Sequence, residues 1–148
     1  MILKKPLFLF LFSVILIIGI LQQVAVHFYL YWTLSWFDIL MHFLGGFWFG
    51  YSALWILFFS GYMLVPSRND VKFFILVAFA SAIGVGLLWE VFEYVTGITF
   101  VNDVFHDYVF DTIKDLIMDS LGGIVSAIFL YIAYKKRLVQ TQQNNVIS

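Results

Sequence analysis

The chain lacks cysteine and is poor in charge and proline. Its 148 residues include no Cys and two Pro, and charged residues make up 11%. The absence of Cys excludes disulfides, thiolate metal ligands and cysteine nucleophiles. The formal net charge of -1 argues against a nucleic-acid-binding protein, which needs a strongly basic surface. Intrinsic disorder is excluded as well, because a chain with so little charge and so much apolar surface cannot stay solvated.

Apolar residues are present in large excess. Hydrophobic residues make up 63% of the chain and aromatic residues 21%, whereas soluble domains are about 45–50% apolar. Four apolar runs, at about residues 6–28, 39–64, 71–95 and 112–134, each reach the length of about 20 residues that crosses a bilayer. They predict an all-α integral membrane protein in which four transmembrane helices form a bundle and a single domain over residues 1–137. Residues 138–148 are predicted to form a loose cytoplasmic tail.

The segment between the third and fourth runs has helical periodicity of its own. Val101, Val104, Phe105 and Tyr108 recur at positions i, i+3, i+4 and i+7, which is typical of a short amphipathic helix at the membrane interface. His106 lies in this helix, either as a second imidazole for a nearby site or as a solvated histidine.

Basic residues predict the orientation of the bundle. Four crossings bring seven of the eight Lys and Arg residues to one side of the membrane: Lys4, Lys5, Arg68, Lys72, Lys135, Lys136 and Arg137. Because Lys and Arg beside short loops stay cytoplasmic, both termini are predicted to be cytoplasmic. The expected location is the cytoplasmic (inner) membrane of a bacterium or archaeon, with the lipid bilayer as the immediate partner and no nucleic acid.

Acidic residues gather at the opposite ends of the helices. Their spacing places each set on one helical face: Asp38 with His42, Glu90 with Glu93, and Asp111 with Asp115 and Asp119. Small residues continue these faces toward the middle of the membrane, among them Gly45, Gly46, Gly86, Gly122 and Gly123. Because small residues mark the sides on which membrane helices approach closely, we expect the acidic faces to meet inside the bundle.

A cation is one way to neutralise such a cluster. Six carboxylates with Lys114 as the only nearby base cannot all stay ionised in a medium of low dielectric, so bound cations, shared protons or a water-filled funnel must compensate. The favoured hypothesis is a divalent metal site, for Zn, Mn, Mg, Ca or Fe. The predicted ligands are His42, Glu93, Asp115 and Asp119, with Glu90 as general base. Asp38 and Asp111 are expected to cap helices or to lie in a second layer around the metal ligands. Lys114 is expected to form an ion pair with Asp111 or to contact a phosphate, and His106 is a further candidate for the second layer.

Three motifs resemble those of a bacterial family of membrane proteins. They are Asp38-x-x-x-His42-Phe43-x-Gly45-Gly46, Trp89-Glu90-x-x-Glu93, and Asp111-Thr112-x-x-Asp115-Leu116-x-x-Asp119-x-x-Gly122-Gly123. The chain resembles the YjdF-like proteins and, more distantly, the VanZ-like proteins of teicoplanin resistance. It lacks the Arg before the last acidic motif and the Asn near Asp119 of the VanZ-like pattern. The resemblance implies a multi-helix inner-membrane protein and no particular chemistry.

These observations favour a membrane-embedded metal-dependent enzyme, a hydrolase of a lipid or lipid-linked phosphate at the outer leaflet. A non-catalytic membrane or assembly factor and a cation or proton transporter are the alternatives. Transport needs polar groups that continue across the membrane. No charged residue lies between positions 47 and 64 or between Asp119 and Lys135, which favours chemistry at one surface.

Overall fold

Long apolar helices make up the computed structural model, which describes residues 4–63, 66–96 and 105–147. The helices are α1 (Lys4–Phe28), α2 (Leu30–Thr33), α3 (Phe37–Phe58), α4 (Val71–Thr96) and α5 (Phe105–Ile147). Four of them contain segments long and apolar enough to cross a membrane, namely Lys5–Phe28, Phe37–Phe58, Val71–Thr96 and Tyr108–Lys136. The prediction of an all-α, four-helix membrane bundle is confirmed.

Helices α3, α4 and α5 pack against one another, and α1 lies outside this trio against α3. Only 11% of the most apolar window of α1 is buried, compared with 33% in α3 and α5. Two side chains of α3 hold α1 in place: the Tyr51 hydroxyl donates to the Leu7 carbonyl at 3.1 Å, and Trp48 Nε1 donates to the Leu11 carbonyl at 3.0 Å. The outer position of α1 leaves its far side to lipid.

One end of the trio is closed by aromatic side chains. The Phe58 and Phe74 rings stack with centroids 4.3 Å apart, and both pack on Tyr134. Asn69 Nδ2 donates to the Tyr134 hydroxyl at 3.1 Å, which ties the loop before α4 to α5. We call this the aromatic end. The acidic residues lie at the other end, the polar end.

The helix boundaries near Asp38, Asp111 and Phe58 differ from those predicted. Helix α3 begins at Phe37 with Trp36 as N-cap, so Asp38 lies in its first turn and does not cap it. Asp111 lies inside α5 and caps no helix. Helix α3 ends at Phe58 instead of residue 64, because the chain turns at Gly61, whose φ of 77° suits a residue without a side chain.

Helix α5 is longer than predicted at both ends. Residues 105–110 are helical, but they form its first turns and not a separate interfacial helix; residues 101–104 lie outside the described residues. At the other end α5 continues to Ile147, through the segment predicted to be a loose tail. The physical reason is the lack of any helix breaker after Gly123.

The connection between α1 and α3 contains the single-turn helix α2, which the sequence did not predict. It follows Tyr29, whose backbone has a φ of 56°. This is the left-handed region, which residues other than glycine adopt only uncommonly. The backbone N–H groups of Trp32 and Thr33 both donate to the Tyr29 carbonyl at 3.1 Å. This turn directs the chain from α1 back toward α3 at the polar end.

Candidate functional site

His42 is the centre of the polar end. Its ring is 8% exposed and lies among three carboxylates. His42 Nδ1 is 3.3 Å from Asp119 Oδ2 on one side. On the other side, His42 Nε2 is 3.8 Å from Asp38 Oδ1 and 4.0 Å from Asp115 Oδ2. The two nitrogens therefore face different partners, and Asp119 fixes the direction in which Nε2 points.

Glycines allow Asp119 to reach this position. A Cβ atom on Gly46 would lie 2.1 Å from the Asp119 carbonyl oxygen, and one on Gly86 would lie 2.3 Å from Asp119 Oδ2. A Cβ on Gly122 would lie 2.1 Å from the Phe43 carbonyl oxygen. The helix backbones thus meet at van der Waals distance only because these positions carry no side chain, as the run of small residues predicted.

The two glutamates of α4 have different surroundings. Glu90, 5% exposed, accepts a hydrogen bond from the Thr112 hydroxyl on Oε2 at 2.7 Å, and its backbone carbonyl accepts one from the Tyr108 hydroxyl at 3.1 Å. Its other carboxylate oxygen, Oε1, is buried without a hydrogen-bond partner. Glu93 accepts a hydrogen bond from Trp89 Nε1 on Oε1 at 2.8 Å.

Lys114 is the basic residue of this end within the described part of the chain. It forms an ion pair with Asp111, as the i,i+3 spacing predicted, and its Nζ is 3.9 Å from Asp115 Oδ1. Asp111 and Lys114 are partly exposed, whereas Asp115 is 2% exposed. Lys114 therefore compensates Asp111 and, at a longer distance, Asp115, and no contact joins it to Asp38 or Asp119 among the described residues.

Asp38, His42 and Asp115 form a group that could hold a metal ion. One ligand atom from each lies within 4.8 Å of the others. Two atoms bound to one metal at about 2.1 Å each are at most about 4.2 Å apart. The separations from His42 Nε2 of 3.8 and 4.0 Å satisfy that limit.

A second observation supports a ligand at this group. Asp115 Oδ1 is buried and accepts no hydrogen bond; Lys114 Nζ lies 3.9 Å from it, beyond hydrogen-bond distance. A buried carboxylate oxygen without a partner is destabilising, and a cation removes that cost. The donor set, two carboxylates and one imidazole, suits the divalent metals that bind oxygen and nitrogen ligands.

The ligand set differs in part from the predicted one. His42 and Asp115 are common to both, and Asp38 replaces Glu93 in the group that the structure assembles. Asp119 contacts the ring nitrogen that faces away from the group. For His106, the side chain lies outside the described residues.

A cavity of about 550 Å³ adjoins the cluster between α1, α3 and α4. Its polar wall contains Asp38, His42, Glu93 and Asp119, and Glu90 does not line it. Its apolar walls include Ile15, Ile18, Met41, Phe49, Val85 and Phe92. We call this space the side cavity; its volume is within the range of small-molecule sites.

Sequence reasoning missed two residues of this cavity, Gln22 and Tyr31. The Tyr31 hydroxyl donates to Gln22 Oε1 at 2.5 Å, across the turn from α1 to α3. Burial, with added repulsion from Asp38 and Glu93, raises the pKa of Tyr31 to about 12, so its hydroxyl stays protonated. The amide pair Gln22-Gln23 in the mostly apolar run of α1 was the sequence signal for Gln22.

Comparison with known proteins gives one match. The family model described as "Predicted membrane protein (DUF2238)" matches residues 4–136 and so includes every residue of the site. The chain belongs to the DUF2238 family. This family of predicted membrane proteins includes YjdF, which agrees with the resemblance found in the motifs. No curated protein and no solved structure matches the chain.

Proposed function

We propose that this member of the DUF2238 family is a metal-dependent enzyme of the cytoplasmic membrane that hydrolyses a lipid or lipid-linked phosphate at the outer leaflet. The observation that carries the proposal is the group Asp38, His42 and Asp115, in which His42 and Asp115 are buried and one Asp115 oxygen accepts no hydrogen bond, beside a cavity of substrate size. Ionisable groups at membrane depth are functional candidates because they are costly to keep without a role.

In this proposal each residue of the polar end has a defined task. Asp38, His42 and Asp115 would hold a divalent cation, and such a cation would lower the pKa of a water molecule. Asp119 accepts the Nδ1 proton of His42 in a hydrogen bond, an arrangement that orients metal-binding histidines in other proteins. A cation also offsets the negative charge that would otherwise repel a phosphate.

The general base is assigned to Glu93 in place of Glu90, because Glu93 lines the side cavity and Glu90 bonds to Thr112 instead. As the water oxygen attacks phosphorus, Glu93 accepts the water proton. The P–O bond to the lipid part then breaks, and Glu93 returns the proton to the departing oxygen, which belongs to an alkoxide when the substrate is a phosphomonoester and to a lipid monophosphate when it is a lipid diphosphate. The reaction consumes one water and needs no oxidant or reductant.

The other end of the bundle favours hydrolysis over transport. Toward the aromatic end, the buried side chains of the described residues are mostly apolar, including Leu54, Phe58, Phe74, Leu130 and Tyr134. A tightly packed apolar layer offers an ion no polar path. The site is therefore open to one side of the membrane.

The test is phosphate release from micelles of dodecyl maltoside that contain phosphatidic acid or undecaprenyl diphosphate, with Mg²⁺, Mn²⁺ or Zn²⁺ added. The expected result is release that requires a metal, is lost in Glu93→Gln, and remains in the matched variant Asp111→Asn. Asp111 pairs with Lys114 outside the metal group, so it controls for loss of a carboxylate as such. No release above a metal-free control from either substrate would overturn the hydrolase proposal.

A further inference from the structure

The side cavity has a shape and polarity that match one class of molecule. Its polar wall, with Asp38 and Glu93, lies near the ends of the helices, whereas Phe49 and Ala82 line it deeper in the membrane. At a rise of about 1.5 Å per residue, Phe49 lies about 16 Å below Asp38 along α3. That depth equals one leaflet, since the hydrocarbon core of a bilayer is about 30 Å thick.

The side cavity is flanked by residues that face the surrounding hydrocarbon. Ile15 of α1 is 36% exposed, and Trp89 and Phe92 of α4 are 48% and 47% exposed, although all three line the cavity. Within the described residues, α1 packs on α2 and α3 and has no close backbone approach to α4. The gap between α1 and α4 thus joins the cavity to the lipid phase.

We infer that the side cavity binds a hydrocarbon chain of an amphiphile, which enters between α1 and α4 and places its phosphate headgroup at the metal group. This inference rests on the proposed function for the headgroup chemistry and adds the binding site for the chain. Apolar walls that line one leaflet's depth and end in a polar wall fit an amphiphile. A free phosphate would use the polar wall alone, and a transmembrane helix would need a groove that crosses the whole bilayer.

Gly19 provides a way to fill the cavity without disturbing the fold. It lines the cavity, and a Cβ at this position would meet no atom within 4 Å. Gly84 is the matched control, because a Cβ there also meets nothing within 4 Å and Gly84 does not line the cavity. Both leucine variants place one apolar side chain on a membrane helix.

The experiment measures retention of dipalmitoyl phosphatidic acid by native mass spectrometry after detergent delipidation, with inorganic phosphate as the headgroup alone. We expect one lipid per chain, with the affinity lowered at least about tenfold, or 1.4 kcal/mol, in Gly19→Leu and unchanged in Gly84→Leu. Inorganic phosphate should bind the two variants equally. Equal lipid retention by the two variants, or a second copy of the chain in place of lipid, would overturn the inference.

Elemental analysis of the same samples separates this inference from the proposed function. If wild type and the two variants all contain metal and lipid is lost only from Gly19→Leu, the result supports the metal site of the proposed function and the hydrocarbon-binding site. Absence of metal from wild type refutes the proposed function, whatever the lipid result. Metal present with lipid retention unaffected by Gly19→Leu refutes the hydrocarbon site and leaves the metal site standing.

Discussion

The contact between α3 and α5 at Gly46 permits a sharp test of how the site is held together. In Gly46→Ala the new Cβ would lie 2.1 Å from the Asp119 carbonyl oxygen, which belongs to the backbone of α5 and cannot rotate away. Relief of the overlap requires the two helices to separate by about 1 Å. Inserting one methyl group into a packed core costs about 1–3 kcal/mol.

Helix propensity opposes that cost, since Ala is favoured over Gly by up to about 1 kcal/mol in a helix interior. A net loss of up to about 2 kcal/mol therefore remains for Gly46→Ala relative to wild type, and Gly46→Ala should be about 1–3 kcal/mol less stable than a Gly→Ala variant that gains the propensity without the overlap. Gly84→Ala supplies the comparison, because its Cβ meets nothing within 4 Å and only the propensity gain applies. The assay is unfolding in dodecyl maltoside by sodium dodecyl sulfate, followed by circular dichroism.

The same substitution affects the site as well as the fold. Movement of α5 away from α3 carries Asp119 away from His42, so Gly46→Ala is expected to weaken metal binding even where the protein stays folded. If Gly46→Ala is as stable as Gly84→Ala and binds metal like wild type, the close approach of α3 and α5 is not as described.

Three further substitutions test separate parts of the account. Asp119→Asn replaces the charged partner of His42 Nδ1 and should weaken metal affinity about 10–100-fold by isothermal titration, as loss of such outer contacts does elsewhere; unchanged affinity would refute its orienting role. Tyr134→Phe removes the hydroxyl that accepts from Asn69 and should lower the free energy of unfolding by about 1 kcal/mol with metal content unchanged. In this Cys-free chain, Asn102→Cys should react with an impermeant maleimide in intact cells and Asn69→Cys only after permeabilisation; the reverse order would place the polar end in the cytoplasm.

Much of the fold follows from local sequence, because length and apolarity alone set the transmembrane helices. The i,i+4 spacing of Asp38 with His42 and of Asp115 with Asp119 correctly placed these residues on inward faces. The combination of Asp38, His42 and Asp115 could not be predicted from local sequence. It depends on the direction of His42 Nε2, which is set by a contact with Asp119, 77 residues away in the chain.

The side cavity was not predictable for a related reason. It exists because α1 packs on α3 and stays away from α4, and no motif in α1 specifies that choice. Gln22 and Gly19 gain their place in the site only from this packing. The helix ends were not predictable either, because each depends on the backbone conformation of one residue. The left-handed conformation of Gly61, for example, ends α3 earlier than predicted.

The most direct test of the metal site is the metal content of the purified protein by inductively coupled plasma mass spectrometry, with Asp115→Asn and Asp111→Asn measured in parallel. We expect about one divalent metal per chain in wild type and Asp111→Asn, because Asp111 lies outside the metal group. We expect loss of that metal in Asp115→Asn with the helical circular dichroism intact. Folded wild-type protein without metal, even after incubation with Mg²⁺, Mn²⁺ or Zn²⁺, would contradict it.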